Sequence, residues 1–233
     1  MTGRPPSGID QLESLLAYVL PMVVFVLLLG VISLVKQPEA QSLWQTSPEF
    51  WIYPLQTLLC AALLVFFRRD YAFGPPRQIF LALGIGLLAF LLWIAPQQFI
   101  HFAARRTGFN PEVFAPDPLV YWLTLTLRFV RLVVIVPLVE EIFWRGFLLR
   151  FLISEKFQSV PFGSFSWLSC TVVTFAFAFS HALVDWPAAL VTGALYNMVA
   201  YRTRSLSSCV LTHGLTNLAL GLWIVATKQW GFW

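Results

Sequence analysis

Charge is what this sequence has least of. Asp, Glu, Lys and Arg make up 11% of its 233 residues, against about 25% in ordinary soluble domains, too few to cover a surface in water. Cysteine is also scarce: Cys60, Cys170 and Cys209 are scattered through apolar runs with no CxxC pair. That excludes a zinc ribbon or a dithiol redox motif and leaves them as packing residues. No hydrophilic stretch is long enough for a separate soluble domain, and there is neither a fixed-period repeat nor a low-complexity segment. The net charge is +4, but the basic residues form no clustered face, so nucleic acid is not expected as a partner.

What is present is apolar and arrives in blocks. Hydrophobic residues account for 58% of the chain and the mean hydropathy is +0.75, which points to lipid as the solvent. A hydrocarbon core about 30 Å thick takes about 20 helical residues to cross. Runs near that length extend over Leu12 to Val35, Phe50 to Phe67, Ile79 to Ile100, Leu119 to Val139, Phe165 to Leu183, Pro187 to Tyr201 and Leu206 to Ala226. The first is longer than a signal-peptide core and lacks a small-residue cleavage pattern, so it is expected to remain as a span. The fourth continues past Pro137 into a more polar extension ending near Ile153; counted as a separate half-span, it makes eight. The expectation is an all-α polytopic transmembrane bundle of seven or eight spans forming one membrane domain over residues 1–233.

With seven spans and a cytoplasmic N-terminus, Arg4, Arg68, Arg69, Arg77, Arg145, Arg150, Lys156, Arg202 and Arg204 lie inside. Lys36, Arg105, Arg106 and Lys228 lie outside, which obeys the positive-inside rule. Arg128 and Arg131 are left within the fourth span.

An ionisable side chain in mid-span costs about 2.5 to 3.5 kcal/mol on insertion scales. The first three spans avoid such residues, whereas the later ones hold Arg128, Arg131, Glu140, Glu141, Arg145, His181, His213 and Asn217. The asymmetry predicts a polar intramembrane cavity in the C-terminal half, with residues 1–118 as scaffold. On a helix Glu141 precedes Arg145 by four residues, the favourable order for an ion pair. Glu140 is turned about 100° away and is free to act as a general base; the alternative is a solvated helix end. His181 closes an aromatic run that includes Phe177, and is either a proton carrier or an ordinary interfacial histidine. His213 and Asn217 share one helical face and can donate toward one point, as an oxyanion requires. The alternative there is interhelical hydrogen bonding.

Taken in order, EExxxR, FxxxH and HxxxN resemble the three motifs of the CPBP family, which includes the type II CAAX prenyl endopeptidases and bacterial abortive-infection relatives. The resemblance spans about Leu119 to Ala226 and makes 119–233 the catalytic core of an intramembrane endopeptidase. It implies that Glu140 activates water, His181 assists, and His213 and Asn217 hold the oxyanion. Glu141, Arg145 and Phe177 then support them, and Gly193 falls at a small-residue packing position. It further implies a membrane-anchored or lipidated protein substrate, reached from the bilayer, and a home in the bacterial inner membrane. The run VPLVEEIFWRGFLLR is also similar to CAAX protease-related proteins of exosortase systems, implying a substrate with a sorting tail.

Zinc or another divalent metal on Glu140, His181 and His213 is the alternative chemistry. There is no HExxH motif, and no carboxylate behind either imidazole is legible in the sequence; metal-free chemistry is expected. A proteolytically inactive relative that shelters another membrane protein keeps the same motifs, and a small transporter would use the same charges without them. Straight, full-length spans would set His181 near one membrane face and His213 near the other. Their meeting requires short, broken or tilted helices around a wet cavity.

Overall fold

The computed structural model describes residues 8–100, 102, 105 and 108–233; Arg4 and Arg106 of the charge pattern lie outside them. Among the described residues there is no strand. The long helices are α1 (Gly8–Val35), α2 (Glu49–Phe66), α3 (Ile79–Gln98), α4 (Pro118–Phe151), α5 (Trp167–Phe179), α6 (Trp186–Thr203) and α7 (Leu206–Thr227). Apart from the C-terminal end of α4, they follow the seven apolar runs of the sequence to within a few residues. α1 to α4 and α7 are long and apolar enough to cross a membrane. Large apolar side chains coat the outside of the bundle, with Phe80, Leu34 and Leu119 at 91%, 85% and 77% exposure, as a lipid solvent permits and water does not.

Helix ends follow local chemistry. Asp117 accepts from the amides of Leu119 and Val120, and Pro118 takes the first position of α4, where its missing N–H costs nothing. Ser205 caps α7 by accepting from the Ser208 amide. Arg204 and Lys228 close α6 and α7 in the left-handed region, with φ of 49° and 56°.

α4 corrects one expectation. The polar extension beyond Val139 is no separate half-span: the helix runs unbroken for 34 residues, about 51 Å at 1.5 Å per residue. Continuity through Pro137 comes from two wide π-helical stretches, Arg131–Ile135 and Ile142–Leu148, on either side of Val136–Glu141. Because the helix continues, Arg145 and Arg150 are not loop charges. They are 0% and 7% exposed, and Arg150 donates back to the Gly146 carbonyl.

Two glycines set how closely the C-terminal helices approach. A Cβ on Gly86 of α3 would lie 2.8 Å from the Thr212 carbonyl of α7, and one on Gly193 of α6 would lie 3.1 Å from the Phe177 ring of α5. Alanine at 86 would force α3 and α7 to shift apart, and alanine at 193 would need the Phe177 ring to give way by a few tenths of an ångström.

Candidate active site

Glu140, His181, His213 and Asn217 all line one cavity of about 270 Å³. Its walls come from more of the chain than the polar residues indicate. Met22, Phe25 and Leu29 of α1 and Trp93 of α3 face it alongside Arg131 of α4 and Tyr196 of α6.

The two histidines reach it because α5 is short. At 13 residues, α5 rises about 20 Å, and His181 lies just past its end. α6 returns, and His213 lies seven residues into α7, about 10 Å from the face where α5 begins. Their depths along the helices therefore differ by about 10 Å instead of a full membrane thickness, and both line the one cavity.

Glu141 and Glu140 face different surroundings. Glu141 is fully buried, and its Oε1 accepts from Arg145 Nη1 at 3.1 Å and from His213 Nδ1 at 2.9 Å. The pair with Arg145 is the one that the four-residue spacing predicts. The bond to His213 supplies the carboxylate behind an imidazole that the sequence reading did not find. Arg145 extends the network: Nε donates to Asn197 Oδ1 at 3.1 Å and Nη2 to the Gly193 carbonyl at 3.2 Å. Asn197 passes it on, donating to Thr174 Oγ1 at 3.0 Å. One buried chain of bonds thus ties α4, α5, α6 and α7 behind the cavity. Phe177 stacks under it, its ring 5.0 Å from the Arg145 guanidinium and 4.8 Å from the His181 ring.

Glu140 is 8% exposed, faces the cavity, and its Oε2 has no hydrogen-bond partner among the described residues. His181 bonds through Nδ1 to the Phe177 carbonyl at 2.7 Å. A carbonyl only accepts, so Nδ1 carries the proton and the neutral ring has its lone pair on Nε2. His213 is held the same way by Glu141, against the Tyr196 ring at 5.1 Å. Tyr196 is fixed in turn by its hydroxyl, which donates to Thr216 Oγ1 at 2.7 Å.

Asn217 departs from expectation. Its amide nitrogen does not donate freely into the cavity; it donates to the Leu132 carbonyl at 2.8 Å. Leu132 lies five residues before Pro137, whose ring nitrogen has no hydrogen to give to the preceding turn. Asn217 fills the place of that missing donor.

Sequence reasoning named Arg131 as an intramembrane charge without giving it a role, and missed Asn197, Tyr196 and Gln56. Arg131 lines the cavity, its Nε donating to Gln56 Oε1 at 2.8 Å, and Gln56 Nε2 donates to the Phe25 carbonyl at 2.6 Å. A lone glutamine inside the second apolar run was the available signal.

As the side chains stand, no three His, Cys, Asp or Glu groups among the described residues converge as metal ligands. Glu140, His181 and His213 share the cavity without forming a ligand set in this arrangement.

Residues 122–219 match the family model described as type II CAAX prenyl endopeptidase Rce1-like. The match covers α4 from its second turn, α5, α6 and most of α7, the helices that carry the polar network. No curated protein and no solved structure matches the chain.

Proposed function

From the match of residues 122–219 to the Rce1-like type II CAAX prenyl endopeptidase model, we propose that this chain is an intramembrane endopeptidase that hydrolyses a membrane-anchored or lipidated protein. The observation that carries this reading is a buried carboxylate, Glu140, with an unbonded oxygen, in one cavity with two imidazoles whose Nδ1 atoms are both engaged behind them.

The orientation of each ring assigns its role. His181 Nε2 accepts one hydrogen of a water molecule, and Glu140 takes its other proton as the oxygen attacks the scissile carbonyl. The proton on Glu140 then passes to the leaving amine as the C–N bond breaks. His213 donates from Nε2 to the oxyanion when its ring carries both protons, a state whose charge Glu141 balances. Asn217 supplies a second donor through the amide hydrogen not used on Leu132. The reaction uses no metal, so a chelator leaves it intact. We place the enzyme in the bacterial inner membrane. Its N-terminus is cytoplasmic because Arg68, Arg69, Arg77, Lys156, Arg202 and Arg204 share that side.

The test is cleavage of a membrane-peptide library by reconstituted protein. Glu140→Gln, His181→Ala and His213→Ala are each expected to lower the rate by about 10²-fold or more, with the fold intact. Wild-type rates in all three variants would remove these residues from the chemistry, and no cleavage by the unaltered protein would leave the inactive, partner-sheltering reading or transport. Loss of cleavage on chelation, restored by zinc, would overturn the metal-free step.

A further inference from the structure

Arg128 has no part in this chemistry, yet it is 5% exposed and sits within α4. Its guanidinium lies over the rings of Tyr53, Phe109 and Trp233, at 4.8, 4.7 and 5.5 Å from their centroids. Ring faces attract the charge but do not serve the N–H groups, which lie in the guanidinium plane. Nε and Nη1 are buried with no hydrogen-bond partner among the described residues, and Arg128 forms no ion pair there. The other buried arginines of α4 differ: Arg131, Arg145 and Arg150 each donate to named acceptors.

Arg128 lines a second cavity, of about 180 Å³, between α2, the first half of α4 and the segment that precedes it. The walls are mostly apolar, formed by Phe50, Phe114, Leu123 and Leu127. Trp44 and Leu123 at its rim are 53% and 56% exposed, so the cavity opens on the surface that faces lipid. Helical side chains lean toward the N-terminus, which brings the guanidinium up to Tyr53, one turn into α2. That is the level of the exposed Trp44 and Trp51, where an aromatic belt meets the headgroups.

We propose that this cavity binds the carboxylate end of a free fatty acid drawn from the bilayer, with the carboxylate on Arg128 and the first methylenes along the aromatic walls. Charge complementarity selects the head: a carboxylate brings the negative charge and acceptor oxygens that a guanidinium with no ion pair among the described residues lacks. A phosphodiester brings further oxygens and a polar headgroup, for which these walls offer few donors. The site is independent of the protease reading and shares with the catalytic cavity none of its lining residues.

The experiment is photolabelling of the full-length protein in neutral detergent with diazirine-bearing palmitate. Unlabelled palmitate, hexadecanol and phosphatidylglycerol serve as competitors. Expected are saturable labelling in peptides of α2 and early α4, and competition by palmitate at least tenfold stronger than by hexadecanol or phosphatidylglycerol. Arg128→Met is expected to weaken labelling at least tenfold. Leu123→Trp, at an exposed rim position, is expected to do the same while cleavage and thermal stability stay at wild-type levels. If Arg128→Met fails to fold, Leu123→Trp decides. Equal competition by the uncharged alcohol, stronger competition by the phospholipid, or unchanged labelling in Leu123→Trp would each overturn the assignment.

Discussion

Two adjacent glutamates meet two different surroundings. A helical step of about 100° sends Glu141 into a fully enclosed network with Arg145 and His213 and leaves Glu140 facing the cavity. Arg145→Leu strands the Glu141 carboxylate without its cation. We expect it to destabilise the fold by about 3–5 kcal/mol, measured by unfolding in mixed micelles. Glu141→Gln with Arg145→Leu is expected to recover part of that loss, since no buried charge then lacks a partner. The Glu141–Arg145 pair was legible in the sequence because four residues on a helix bring side chains together. The His213 bond was not, because its partner lies 72 residues away and no local spacing encodes it. The same distance problem hid Asn197 behind Arg145.

At the scale of elements, Pro137 lies inside a helix that the sequence reading already carried past it; what was not legible is how the helix continues there. Proline mid-helix removes a donor and crowds the preceding turn, grounds for ending a span, yet α4 absorbs it with π-helical turns and borrows a donor from α7. Asn217→Leu is expected to cost about 1 kcal/mol or somewhat more, the price of leaving the part-buried Leu132 carbonyl unserved. With Pro137→Ala supplying an N–H, the same substitution is expected to cost less than about 1 kcal/mol, and a double-mutant cycle reads the difference. The seven helices themselves were legible because apolar run length reports them directly. The cavity wall contributed by α1 and α3 was not, since Met22, Phe25 and Trp93 look like any other lipid-facing residues until packing turns them inward.

For the whole molecule, one tie on the surface joins the end of α7 to the segment before α4: Lys228 Nζ to Glu112 Oε1 at 2.7 Å. The hydrogen bond from Lys228 lowers the Glu112 carboxyl below its ordinary 4.5, and Glu112 raises the Lys228 ammonium above 10.5. A lowered acid pKa stabilises above the ordinary value and is lost as pH falls through the shifted one; a raised base pKa stabilises below its ordinary value and is lost as pH rises through its own. The tie therefore holds from mildly acid to mildly alkaline pH and opens below the carboxylate range. Amide exchange of residues 108–117, corrected for intrinsic rate, is expected to rise there, and Glu112→Gln is expected to abolish that rise. A wider consequence follows from the brevity of α5. A helix about 20 Å long, exposing Trp167, Leu168 and Phe179 to lipid, cannot match a hydrocarbon core of about 30 Å. We expect the bilayer to thin beside it, drawing water and headgroups toward His181 and offering an approaching chain a shallower descent. Proteoliposomes of short-chain phosphatidylcholine are accordingly expected to support faster cleavage than long-chain ones, so that membrane thickness itself acts as a rheostat on turnover.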